Sequence, residues 1–299
     1  MKAKDRFADW NGANVVIQAD TGEKSLSHKT LSKDARRAVW KAFDNRATRS
    51  EPAFVKAVQS IVSKQRAEVK AALSKDGDLS VVIEHALKSV FGKDADKSVQ
   101  TALTTPWMLA FKHGYDHAVD VVHGKALTDI VLKDAVGPTW DIVNPTFRDW
   151  IKENGLLRAE GINDTTQEKL RAKIAASLQE GIDAGEGRGK LSNRILDATD
   201  DVYDEMDRNR ANTIARTESA ATVNEGQFLT YRADGVEKKE WLATQDDRTR
   251  DSHAEADGQI VGIDESFKVG GDEMDAPGTG SDAGENCNCR CTILPVIPE

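Results

Sequence analysis

Cysteine, proline and long apolar runs are scarce in this 299-residue sequence, and no basic excess is present. The longest charge-free, largely apolar stretch is SVQTALTTPWMLAF, residues 98–111. It falls short of the roughly 18–20 apolar residues that a membrane-spanning helix needs, so no membrane partner is expected. The three cysteines, Cys287, Cys289 and Cys291, fall within five residues. That spacing excludes a disulfide framework and points to a reducing compartment with one local site. A formal net charge of −9 argues against a dedicated nucleic-acid binder. The opening MKAKDRFADWNG turns polar at once, so no signal peptide is expected. Internal repeats are also lacking.

What is present suits two domains with buried cores: hydrophobic residues make up 39% and charged residues 30%. The negative excess is local. Residues 244–299 hold 13 acidic against 4 basic side chains, which accounts for all of it. Residues 29–49 hold seven Lys or Arg against two Asp. That run reads as a solvated helix face or as a docking surface for an acidic partner or DNA.

The expected fold class is α+β: a mainly helical N-terminal two-thirds followed by a small C-terminal α+β unit. Three regions are expected. Residues 1–135 form a variable helical domain, 136–235 a helical block, and 236–299 a small acidic α+β unit carrying the cysteines. Within the first, Glu51 and Pro52 predict a helix start, with further helices near 79–91 and 96–122. GPTWDIVNP, residues 137–145, reads as a break. No proline occurs between 146 and 276, which permits long helices. Thr165 and Glu168 form a capping-box pattern ahead of Leu170, Ile174, Leu178 and Ile182. GEGRG, residues 185–189, ends that helix. A short helix is expected over 191–198 and a long one over 201–232, stopping at Asp234 and Gly235. Strand character then appears in 236–244 and in QIVGI, SFKVG and CTILPVI.

Three apparent motifs fall short of their patterns. GEGRGKL has three residues between its outer glycines, no Ser or Thr after Lys190 and no preceding strand, so it is not a phosphate-binding loop. His113 and His117 share a helix face with Asp120 nearby, but no Glu follows His113; two half-exposed polar residues are the simpler reading. His253-Ala254-Glu255 before the cysteines departs from the zinc-deaminase pattern, which needs P-C-x-x-C.

The C-terminal residues carry stronger chemistry. His253, Cys287, Cys289 and Cys291 are ligand types for zinc. On a strand, Cys287 and Cys291 would lie about 13 Å apart, too far for one tetrahedral ion. Two cysteines with His253 and one further ligand are therefore the favoured set, with Cys287 the weakest candidate. Reduced thiols or a transient disulfide are the alternatives. On the helix over 201–232, Glu218 falls within the arc of Ile214, Ala211, Ala221 and Leu229, while Arg216 points away. A carboxylate there needs a partner. Arg248, Arg250 and His253 are the candidates, which makes a structural clamp the expected role and leaves no nucleophile or second acid for catalysis. Glu225, near the helix end, is expected to be more loosely placed.

These residues, in this order, resemble the Mu F-like phage head morphogenesis family. The resemblance rests on IARTE at 214–218, Asn224, Gly235, Val236 and Trp241. It continues through D-x-R-T-R-x-x-H at 246–253, DGQ at 257–259, Phe267, Pro277 and NCRC at 288–291. It covers about residues 145–297, and NPTFRDWIKENG at 144–155 also fits the start of the family region. Some relatives carry cysteine where Arg250 and His253 stand and His-Pro where Asn286 and Cys287 stand; this chain departs there. The resemblance implies a non-enzymatic minor head protein of the virion, held inside the capsid and present in the host cytoplasm during assembly. It implies portal, capsid or scaffold proteins as partners and a role with phage DNA in packaging or ejection. The alternative is a small metal-assisted hydrolase or nuclease in the C-terminal unit.

Overall fold

In the computed structural model, residues 31–75, 77–123, 140–244 and 246–296 are described. The fold is α+β: long helices, then a small C-terminal strand and helix region. The helices are α1 (Lys33–Leu73), α2 (Leu79–Val90), α3 (Lys93–Val122), α4 (Trp140–Asp183), α5 (Arg188–Glu205) and α6 (Ala211–Ala233). After them come β1 (Lys238–Leu242), α7 (Asp251–Ala256), β2 (Ile260–Gly262), β3 (Phe267–Val269), β4 (Asp272–Met274), α8 (Ala283–Asn286) and β5 (Thr292–Val296).

The chain divides into two compact units. One takes in the described residues of Ala47–Ala110 and Asn144–Ser219, the other those of Met1–Arg46, Phe111–Val143 and Ala220–Glu299.

Three sequence expectations about helix ends are corrected. Pro52 lies inside α1 and opens no helix. Buried Val39, Phe43, Ala47, Ser50, Phe54, Val58 and Val62 recur every three or four positions on both sides of it. Burying that stripe offsets the lost backbone hydrogen bond and ring clash, a cost of about 3 kcal/mol. Pro145 likewise sits within α4, so residues 140–145 are helix and not a break; residues 137–139 lie outside the described set. Thr165 caps nothing. Its hydroxyl donates to the Gly161 carbonyl at 2.8 Å, in mid-helix, while Ala159, Asn163, Thr166, Leu170 and Ile174 continue the buried stripe. Around GEGRG the helix does end, at Asp183.

α5 and α6 also depart from expectation. No break separates 198 from 201. A π-helical turn, Met206–Arg210, joins the two helices. Such a turn absorbs an extra residue, so buried Val202, Tyr203 and Met206 keep phase with buried Ala211, Ile214 and Ala215.

The first unit is all helical, with Phe54, Leu103, Trp107, Phe147, Leu170, Ile195 and Tyr203 buried. Gln65 and Asn163 satisfy one another there at 2.8 Å. Arg66 binds Asp200 and Asp204.

In the second unit β1 is the middle strand of a three-stranded antiparallel sheet, order β2-β1-β5, with Glu240 opposite both Ile260 and Leu294. A central strand covered on both sides need not alternate, and Lys239 to Leu242 are all buried. β3 and β4 form a separate hairpin. α3 and α6 cross so closely that Gly114 and Gly226 face each other: a Cβ on Gly226 would lie 3.1 Å from the Gly114 Cα. α6 then reaches the sheet through buried amides. Asn224 Nδ2 donates to the Pro277 and Cys291 carbonyls, at 3.1 and 2.9 Å. Gln227 Nε2 donates to Thr292 Oγ1 at 3.0 Å.

Candidate metal centre

The loop after β1 is built by its own polar side chains. Asp246 accepts from the Arg248 backbone N–H at 3.1 Å and binds the Arg290 guanidinium. Thr249 donates to the Thr244 carbonyl. Asp257 accepts from the Ala243 N–H at 2.8 Å and from Arg36 at 3.0 Å. Gln259 mimics a strand, taking the Lys268 N–H at 2.8 Å and giving to its carbonyl at 3.2 Å. These contacts fix the short helix α7 and, on it, His253.

The thiols arrive from the other direction. After α8 the chain turns through Asn288, whose φ of 56° ends any strand geometry. Residues 287–291 therefore do not form one continuous strand, and β5 begins only at Thr292. The turn leaves Cys287 exposed and carries Cys289 and Cys291 inward. His253 Nδ1 lies 3.3 Å from Cys291 Sγ and 3.6 Å from Cys289 Sγ. All three ligand atoms fall within 4.8 Å of one another, and all three residues are buried.

On its far side the His253 ring is held by Glu285, with Nε2 and Oε2 2.9 Å apart. Ser252 donates to the same oxygen at 2.9 Å. The Trp241 indole meets the imidazole edge-on, centroids 5.6 Å apart. Electrostatics couples the three donors. Burial opposes protonation of His253, but the hydrogen bond to Cys291 and its charge raise the imidazole pKa. Cys291 is lowered, chiefly by the hydrogen bond from the Cys289 thiol, against burial and with help from His253. Cys289 is raised by that same bond and by burial.

The donor set fits a borderline-soft cation. Zinc bonds of about 2.0–2.3 Å make the edge of a tetrahedral site about 3.5 Å, close to the two observed N–S separations. In the deprotonated forms that a metal binds, an imidazole and two thiolates, these three buried donors suit zinc better than hard, oxygen-seeking cations.

Other residues singled out in the sequence lie elsewhere. Glu218 is buried and bound by Trp107 Nε1 at 2.9 Å and by Arg158 at 3.1 Å to each oxygen. The loop arginines have other partners. Arg248 binds Asp246 and Arg250 binds the Cys287 carbonyl, while Arg216 lies 3.8 Å from Glu51. The cation beside Glu218 is thus Arg158, on α4, far from it in sequence and hidden from any helical-wheel argument. Glu225 is fully buried, not loosely placed. His117 is buried, not half-exposed, with Nδ1 3.4 Å from Arg46. Asp120 binds that same arginine. Burial, then the Arg46 charge, lowers the His117 pKa to about 3. Glu285, Ser252 and Gln227 were missed, because Ser, Gln and Glu in acidic, polar surroundings carry no distinguishing spacing.

Residues 172–294 match the family described as Phage Mu protein F like protein. Minor head protein GP7 of Bacillus phage SPP1 is 29% identical over 164 residues, 54% of this chain and 51% of that protein. NAD(+)--arginine ADP-ribosyltransferase EFV of Enterococcus faecalis is 30% identical over 132 residues, 44% of this chain and 27% of that protein. The uncharacterized protein YqbB of Bacillus subtilis is 25% identical over 175 residues, 56% and 54% of the two chains. The matches thus span about half of GP7 and of YqbB and about a quarter of the transferase. No solved structure matches the chain significantly.

Proposed function

We propose, from the match of residues 172–294 to the phage Mu protein F like family, that this chain is a phage minor head protein. It associates with the portal inside the capsid, takes part in head assembly and acts with the DNA during packaging or ejection. Portal, capsid and scaffold proteins are its partners; it passes through the host cytoplasm before joining the virion. The observation that carries this reading is the ordered match across 172–294 together with the similarity to a protein named minor head protein over 54% of the chain. Among the described residues no helix is long and apolar enough to cross a membrane. Affinity capture from infected cells and mass spectrometry of purified virions test it. The chain copurifies with portal oligomers and appears in virions at low stoichiometry; its absence from virions refutes the reading.

Within this role His253, Cys289 and Cys291 hold a structural zinc that ties α7 to the turn before β5. Burial of all three limits access by a substrate, and a closed tetrahedral site takes its fourth ligand from outside this trio. Bound zinc supplies cross-linking here, since ligation free energy is also folding free energy. Elemental analysis under reducing, chelator-free conditions tests it: about one zinc per chain is expected, lost in Cys289→Ser.

A second reading has its own observation, the similarity to an ADP-ribosyltransferase. That match covers 27% of the named enzyme, and a whole protein's activity does not follow from a quarter of it. Release of nicotinamide from NAD+ by the purified chain, or hydrolysis of nucleic acid or ester probes, would replace the structural reading with an enzymatic one.

A further inference from the structure

We propose that Glu285 is the positioning carboxylate of this centre, committing His253 to bind the cation through Nδ1; the inference rests on the zinc reading above. An imidazole offers two nitrogens, and the one that binds a metal is set by the hydrogen bond the other makes. Here Nε2 faces Glu285 Oε2 at 2.9 Å, while Nδ1 faces both sulfurs at 3.3 and 3.6 Å. The ring therefore carries its proton on Nε2, donates it to Glu285 and presents a bare lone pair at Nδ1 to the space between the thiolates. A carboxylate in that position also makes the ligand nitrogen a stronger donor.

The carboxylate is itself held. Ser252, the neighbour of His253, donates to the same oxygen at 2.9 Å. Gly270, with φ of 59°, lies beneath it, where a Cβ would overlap the Glu285 carboxylate. Residues 283–291 thus supply the two thiolates and the group that orients the third ligand. Two elements close on the Glu285 carboxylate of α8: α7 reaches Oε2 through Ser252 and His253, and the β3–β4 turn lies beside Oε1 through Gly270.

The test is zinc competition against a chromogenic chelator, using the full chain in reducing buffer at fixed pH. Wild type is compared with Glu285→Ala, Glu285→Gln and Ser252→Ala. Glu285→Ala weakens zinc about 10–100-fold. Glu285→Gln loses less, because its amide oxygen still accepts the Nε2 proton, and Ser252→Ala loses least. Long-range 1H–15N NMR of the zinc-loaded wild type adds a measurement that needs no variant to fold: His253 shows a protonated Nε2 and a metal-bound Nδ1. Unchanged zinc affinity in Glu285→Ala, or coordination through Nε2, overturns the proposal while leaving the zinc site standing. Failure of the wild type to bind zinc removes the metal reading, and the proposal with it.

Discussion

Glu218 and His117 are both buried ionisable side chains, and their surroundings give them opposite roles. Glu218 meets a guanidinium and an indole N–H, so its charge has compensation. Glu218→Ala removes the buried carboxylate that Arg158 and Trp107 both bind, and is expected to cost about 3 kcal/mol in urea unfolding. Glu218→Gln keeps an acceptor for Trp107 and loses less. Equal unfolding midpoints for wild type and both variants would mean that the clamp contributes nothing. For His117 the sign follows from its depressed pKa. The unfolded chain takes up a proton near 6.5 and the folded one only near about 3. Between those values the unfolded state binds more protons, so stability falls as pH falls through the window. The loss reaches on the order of 4 kcal/mol by pH 3. His117→Leu removes that contribution, which shows as a shallower fall in unfolding free energy between pH 6 and 4 than in wild type.

Helices in this chain outlast their local stop signals because burial extends beyond them. α1 runs through Pro52 and α4 through Pro145 and the Thr165–Glu168 pattern, each on a continuous buried stripe. The crossing of α3 and α6 depends on the reverse property, an absence of side chain. Besides the Gly114 Cα, a Cβ on Gly226 would overlap the Phe111 carbonyl, which is backbone and cannot swing aside. Gly226→Ala is therefore expected to destabilise by about 2–3 kcal/mol despite alanine's better helix propensity. A thermal melt of Gly226→Ala checks this, with Gly161→Ala as the control, since a Cβ there meets nothing. A rise in melting temperature at Gly226 would show that the helices part without cost.

At the scale of the whole molecule, the two compact units lead to a local test of the proposed zinc. Its three candidate ligands all belong to the unit containing the sheet. Stripping zinc with a chelator is expected to raise amide exchange in β1, α7 and β5 well above that in α4 and α5. Hydrogen exchange with mass spectrometry reads both regions in one experiment. A uniform change, or none, would remove zinc as the local staple.

Much of this organisation was legible in the sequence. Length, the proline-free run and the change of texture after Gly235 marked a helical body and a small α+β end. The arc of apolar residues around Glu218 marked a carboxylate in need of compensation. Residue type alone identified His253 and the cysteines as ligand candidates. Tertiary structure decided the rest, because each remaining question concerned residues far apart along the chain. Arg158 is 60 positions from Glu218, and Glu285 is 32 from His253. The turn at Asn288 carries Cys289 and Cys291, the pair already favoured in the sequence, to His253 along a path that is not the strand assumed there. Pattern reports which face of an element is buried; only packing reports what lies opposite, and partner identity sets the charge balance and the chemistry of the site.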